Sequence, residues 1–231
     1  MTEFIQFVSP YLPAHLFDIV MIPMQVVLLL FTLYFFFIGF CCLWRPKEQK
    51  ILTPEKTFAV VVAAHNEAAV IGQLIENLKR LDYPKDLYDI YVIADNCTDE
   101  TAQIVCERTH PTKKSKGFAL EWMFERLFAM DREYDAIAIF DADNLVHPNF
   151  LKEMNNRLLK GDKVIQGFLD AKNPYDTWVA GTFAIAFWVI DHISHLAKTN
   201  IGLSACLGGT GMCITTDVLK RHGWRATCLT E

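Results

Sequence analysis

Hydrophobic and polar positions change their rhythm along the chain. From Ile19 to Trp44 no charged residue occurs, and Val26 to Trp44, VVLLLFTLYFFFIGFCCLW, is almost continuously apolar. A bilayer core of about 30 Å asks for roughly 20 helical residues, so this run predicts a membrane-spanning helix. It is too long for a signal peptide and lacks a basic n-region and a small-residue cleavage site. After a polar linker, 45–56, shorter patterns alternate. TFAVVVAAHNE predicts a strand at about Phe58 to Ala63, and Val70, Ile71, Leu74, Ile75, Leu78 and Leu81 then recur at helical spacing. YDIYVIADNCTDETAQIVCERT repeats the pair: a strand to about Ala94, a polar turn, and a helix with Thr98 as N-cap and Asp99 and Glu100 in its first turn. FALEWMFERLFAM reads as a helix, YDAIAIFDAD as a third strand and 163–168 as a fourth. In TWVAGTFAIAFWVIDHISHL (177–196) the thirteen uncharged residues from Trp178 to Ile190 are too few to span. An amphipathic helix, packed on the core or lying at the membrane surface, is expected there.

This alternation predicts an α/β fold: a doubly wound, mostly parallel sheet with flanking helices, preceded by one N-terminal transmembrane helix. The expected organisation is an extracytoplasmic segment 1–18, the membrane helix 19–44, the linker 45–56 and a catalytic domain 57–231. Sheets of this kind bind ligands at the carboxyl ends of their strands. Three predicted strands end there in polar residues: Ala64-His65-Asn66-Glu67, Asp95-Asn96 and Asp141-Ala142-Asp143. In an extended chain Asp141 and Asp143 point the same way, and two such carboxylates repel unless a proton or a cation separates them. Mg²⁺ or Mn²⁺ suits the place, because Mg²⁺ is held by one or two carboxylates together with substrate phosphate oxygens. Asp-x-Asp alone also fits a solvated loop or an N-cap near Pro148.

Charge narrows the partners. A net charge of -5 argues against a nucleic-acid surface, which needs a basic face. Glu3 and Asp18 precede the apolar run while Arg45, Lys47 and Lys50 follow it, so the positive-inside rule puts everything after Trp44 in the cytoplasm. Seven cysteines include no CxxC pair, which favours neither zinc nor disulfides and fits a reducing compartment.

Six motifs in order, VVVAAHNE (60–67), VIADNCTDET (92–101), KGFAL (116–120), FDAD (140–143), GGTGMCI (208–214) and the terminal TE (230–231), carry a family resemblance. From about Thr57 onward the chain resembles family 2 glycosyltransferases of the processive, membrane-attached kind, such as cellulose, hyaluronan and poly-N-acetylglucosamine synthases. The resemblance implies a GT-A fold and a nucleotide-diphosphate-sugar donor, most often uridine-linked. It also implies roles for individual residues. The backbone at Ala64 with Glu67 would border the nucleoside, Asp95 would hydrogen-bond the base, and Lys116 would lie near the base or diphosphate. Asp141 would face the ribose or metal, and Asp143 would ligate Mg²⁺ or Mn²⁺ between the phosphates. Gly208, Gly209, Thr210 and Gly211 would adjoin a saccharide or lipid-linked acceptor.

Each role has a plainer rival: Glu67 and Asp95 as helix caps, Lys116 as a solvated member of the run Lys113, Lys114, Lys116, and the glycines as a tight turn between strand and helix. His192 and His195, at i and i+3, could ligate a metal, but with no third ligand evident they are assigned to the polar side of their helix. In the family the acid pair that includes Glu231 continues with an aspartate, the general base. That base, the later Gln-x-x-Arg-Trp motif and further membrane helices are not in the sequence, so a C-terminally truncated enzyme is expected. The expected function is inverting, metal-dependent sugar transfer at the cytoplasmic membrane face. A non-catalytic nucleotide-sugar-binding membrane protein and a nucleotidyltransferase are the alternatives.

Overall fold

A computed structural model describes residues 14–44, 51–103, 106–110 and 115–226. They fall into two compact units: one holds the first helix with residues 185–205, and the other holds the sheet with its flanking helices. In the first unit, α1 (Ala14–Cys41) begins earlier than the charge-free run and continues through Asp18. Its stretch Phe17–Cys41 is 25 residues long, apolar and largely exposed apart from Ile38, which at 1.5 Å per residue is about 37 Å, enough to cross a bilayer core.

The second unit is built on six strands among the described residues: β1 (Phe58–Ala64), β2 (Tyr88–Asp95), β3 (Cys106–Arg108), β4 (Ala136–Asp141), β5 (Val164–Gln166) and β6 (Met212–Thr215). Their order is β3-β2-β1-β4-β6-β5, with β1 to β4 parallel and β6 antiparallel to both its neighbours. The sheet is therefore mostly parallel, as expected, with one reversed strand. Alternate residues of β1 feed two cores. Phe58, Val60 and Val62 pack with Ile71, Leu74 and Leu78 of α2 (Ala68–Lys79) and with Leu151 and Met154 of α4 (Phe150–Leu159). Ala59 and Val61 pack with Leu120, Met123 and Phe124 of α3 (Lys116–Phe128) and with Leu219 of α7 (Thr216–His222). Burial on both faces explains why FAVVVAA is uniformly apolar rather than alternating.

Three expectations change. The helix predicted after Thr98 is a 3-10 turn, Glu100–Gln103, followed by β3. Its predicted cap, Thr98, donates its N and Oγ1 to Asn66 Oδ1 instead, and the residues after it hold the start of α2, Asp99 Oδ2 accepting from Ala68 N at 3.2 Å and Thr101 Oγ1 from Glu67 N at 3.0 Å. Residues 51–56, read as linker, are held to α4: Asn156 Oδ1 accepts from Leu52 N, and Asn155 Oδ1 from Glu55 N and Lys56 N. The apolar stretch at 177–196 is one helix from Trp178 to Asn200, 23 residues, long and apolar enough to cross a membrane. It comprises α5 (Trp178–Val189), a π-helical segment Ile190–Leu196 and α6 (Ala197–Asn200). Nor is α5 amphipathic, since Phe183, Ile185, Phe187 and Val189 are all exposed around it.

Tyr83 ties the linker to the core, its hydroxyl donating to Lys56 O at 2.7 Å beneath Asn155. Burial pushes its pKa up to about 12. A phenol whose pKa is raised by folding contributes stability that is full below its unfolded value, about 10, and is lost as pH rises through the folded value. Unfolding midpoints should therefore hold to about pH 10 and fall towards pH 12, and Tyr83→Phe should flatten that fall. Tyr134, raised in the same direction by burial and by its 2.5 Å bond to Asp89, leaves a residual slope in the variant.

Candidate active site

The strand ends that were expected to gather do so. β1 and β2 are in register with Ala64 opposite Ala94, and β1 and β4 with Ala63 opposite Asp141, so all three carboxyl ends lie on one edge. After β1 and β2 the chain turns through a left-handed asparagine, Asn66 at φ 56° and Asn96 at φ 51°, a conformation that asparagine tolerates. Both side chains fasten the loops beyond: Asn66 Oδ1 accepts from Thr98 N at 2.8 Å and Asn96 Oδ1 from His110 N at 2.9 Å.

Asp95 is buried and pairs with Arg108, itself 5% exposed, while Asn96 Nδ2 donates to the same carboxylate oxygen at 2.8 Å. It caps no helix. Glu67 stands at the N-cap position of α2 but makes no side-chain cap bond, leaving its half-buried carboxylate at the edge. Asp99, which does the capping, has its carboxyl held below the usual range, chiefly by the Thr101 hydrogen bond.

The two acids of FDAD do not lie on one extended strand. β4 ends at Asp141, and the chain turns at once, closed by Asn144 N donating to Asp141 O at 3.2 Å. The two-residue alternation of a strand no longer applies to Asp143, which is exposed and receives Asn144 Nδ2 at 3.1 Å. A cation does stand against the other acid: the Lys116 ammonium pairs with Asp141 and also donates to Gly209 O at 2.7 Å. Lys116 is thus not a solvated residue of a basic run, since it bridges the acid turn and the glycine loop.

That loop leads into β6 rather than from a strand to a helix. Gly209 at φ 82° and Gly211 at φ 61° adopt left-handed backbone angles that most side chains resist, so conformation favours glycine at both. Thr210 fastens the loop to the acids: its Oγ1 accepts from Asp141 N at 3.0 Å and bonds Asn144. Gln166, at the end of β5, donates to Thr210 O at 2.9 Å and accepts from Gly208 N at 2.7 Å.

Arg108, Asn144 and Gln166 escaped sequence reasoning, and Thr210 was expected in the glycine loop but not as its tie to Asp141 and Asn144. For Arg108 a signal existed, because a buried strand-end aspartate needs a partner and Arg108 is the first basic residue after Asp95. Glu231 and Thr230 lie outside the described residues. His195 belongs to the other unit, where its Nδ1 meets Asp191 Oδ1 at 2.9 Å, and His192 Nδ1 meets Trp188 O. Among the described residues no group of three or more His, Cys, Asp or Glu could hold a metal unaided. The exposed Asp143 beside Asp141 still fits a divalent ion that arrives with phosphate oxygens, which needs only one or two carboxylates.

A cavity of about 390 Å³ opens at the other edge of the sheet, near Lys56, Asp135, Thr215 and Asp217. Its lining charges are already matched, Lys56 with Asp135, Lys220 with Glu133, and Asp217 with Lys163 from outside the cavity, so the carboxyl edge is the better candidate.

A parallel sheet with a reversed strand, an acidic turn at its carboxyl edge and a glycine loop fastened to that turn define a GT-A glycosyltransferase domain. The family described as Glycosyltransferase like family 2 matches residues 54–231, and the chain belongs to it. Similar proteins include the beta-monoglucosyldiacylglycerol synthase of Nostoc sp., 27% identical over 201 residues, covering 81% of this chain and 42% of that protein. Hyaluronan synthase 2 of Bos taurus is 23% identical over 215 residues, covering 71% of this chain and 39% of its own length. The chain thus spans less than half of these relatives. Among solved structures, the mannosyltransferase PcManGT from Pyrobaculum calidifontis, in complex with GDP-Man and Mn²⁺, superposes with a TM-score of 0.64 at 18% identity, covering 85% of this chain and 55% of its own.

Proposed function

We propose that the carboxyl edge binds a nucleotide-diphosphate-sugar, with uridine as the base, for inverting transfer of the sugar to a saccharide or lipid-linked acceptor at the cytoplasmic membrane face. The observation that carries this reading is the joining of Asp141, Lys116 and the loop at Gly209 beside an exposed Asp143. In it, the Ala64 backbone and Glu67 border the nucleoside, and Asp95, held rigid by Arg108, fixes the strand end that meets the base. Lys116 brings its ammonium to the diphosphate. Asp143, with Asp141, would hold Mg²⁺ or Mn²⁺, which when bound supplies positive charge to the departing diphosphate. The acceptor, against 208–211, attacks the anomeric carbon. The bond from that carbon to the phosphate oxygen breaks, the diphosphate leaves with the electron pair, and the acceptor's proton passes to a general base.

Calorimetric titration with UDP, UDP-sugars and GDP, each with and without Mn²⁺, tests the reading. Mn²⁺ should tighten uridine-nucleotide binding by an order of magnitude or more, since charge-assisted contacts to phosphate are the strong ones. Binding indifferent to the metal would refute it, and pyrophosphate released from a nucleoside triphosphate would point to nucleotidyl transfer instead.

A further inference from the structure

Asp141 and Asp143 are the two carboxylates that a divalent ion at this edge would use, and they are not equivalent. Asp143 is exposed and receives a neutral amide, Asn144 Nδ2. Asp141 already carries a cation, the ammonium of Lys116, the first residue of α3. That ammonium is held from two sides, since it also donates to Gly209 O at 2.7 Å, and its side chain is 22% exposed. The acid is held as well: Asp141 N donates to Thr210 Oγ1 at 3.0 Å, and Thr210 bonds Asn144 across the turn. Lys116, Asp141 and the glycine loop thus form a closed contact within the protein.

Charge decides what such a contact admits. Two carboxylates and one ammonium sum to a single negative charge, and among the described residues no third His, Cys, Asp or Glu joins the two acids. A dication on Asp141 would stand about 4 Å from the ammonium, where repulsion weakens its binding roughly tenfold or more even with the screening of water. A diphosphate reverses the balance. It brings several charged oxygens, and lysine, a compact charge with three donors on a flexible stem, can turn to them. Asp141 is then free to join Asp143 around an ion that phosphate oxygens also hold.

We propose that Lys116 stands in for the divalent ion at Asp141 and keeps free Mg²⁺ or Mn²⁺ out until a diphosphate draws the ammonium away. The proposal rests on the donor reading given above. It adds a residue that opposes metal alone yet favours metal with nucleotide.

The test is the binding of Mn²⁺ without nucleotide, read from the electron paramagnetic resonance signal of the free ion, on the full chain in a non-ionic detergent. Lys116→Met keeps the apolar stem and loses the charge. It should tighten Mn²⁺ alone at least about tenfold, because the repulsion is gone. The same variant should bind UDP with Mn²⁺ at least about tenfold more weakly, having lost a charge-assisted contact to phosphate. Lys116→Arg, which keeps a cation there, should leave Mn²⁺ alone as weak as in the unaltered chain. Adding Asp141→Asn to Lys116→Met should abolish the gain, which places the ion on Asp141. A lysine that merely braced the loop could not improve metal binding by its removal.

Mn²⁺ binding that is unchanged or weaker in Lys116→Met overturns the proposal, and the donor reading survives if UDP still binds the unaltered chain more tightly with Mn²⁺. UDP binding indifferent to Mn²⁺ in the unaltered chain ends both. The Asp141 side chain is 38% exposed, so water can replace its partner and the variant should fold. Lys116→Gln repeats the measurement if the methionine variant does not fold, and unfolding of both would make Lys116 a structural clamp and overturn the proposal.

Discussion

Replacing Asp143 by alanine is expected to remove the dependence of nucleotide binding on Mn²⁺ and to lower sugar transfer roughly 10²–10³-fold, the usual loss when one preorganised electrostatic contact to developing charge is deleted. Stability should move by no more than about 0.5 kcal/mol, because the side chain is exposed. The Asn144 amide that reaches it at 3.1 Å can turn to water instead. Isothermal titration with and without Mn²⁺, beside an unfolding curve of the same preparation, separates the two quantities. An unchanged response to metal would remove Asp143 from the site. A loss of folding would show that the turn, rather than its charge, was needed.

The opposite pattern is expected at Arg108. Arg108→Ala should cost about 3–5 kcal/mol in urea unfolding, because it strands the Asp95 carboxylate in a position only 5% exposed. Removing Lys220 from its exposed pair with Glu133 should cost under about 1 kcal/mol, since water already screens that contact. A loss at Arg108 as small as that at Lys220 would mean that Asp95 finds other donors. Arg108→Ala with Asp95→Leu should regain much of the loss, because no buried charge is then left unpaired.

These two acids illustrate what could be read from the chain and what could not. β1, β2 and β4 were legible because burial on both faces makes them continuous apolar runs, and their polar ends marked the edge where a ligand belongs. The strand expected at 163–168 is β5, shorter at Val164–Gln166, whereas β3 and β6, three and four residues long, are too short for any periodicity to declare itself. The helix expected after Thr98 failed for a different reason. Asp99 and Thr101 have the chemistry of helix caps, but the helix they cap begins at Ala68, on the neighbouring strand's connection. Sequence shows a capping residue, not which helix it will cap.

The site residues follow the same rule. Asp141 and Asp143 stood out as a pair of like charges, whereas the partners that organise them, Lys116 and Thr210, lie 25 and 69 residues away from Asp141. The helix at Trp178–Asn200 was underestimated because Asp191 interrupts its apolar run; the structure buries that carboxylate against His195, so the interruption is internal to the protein.

The reversal of β6 has a consequence for how such enzymes diversify. Met212 pairs with Ile139 and Thr215 with Ala136, so the start of this one strand, not its finish, opens onto the edge where the parallel strands end. The segment arriving there can lengthen, shorten or change composition upstream of the strand while the parallel strand ends keep their register. On the proposed reading, new recipients for the sugar could thus be tried without reinventing how the activated sugar is held.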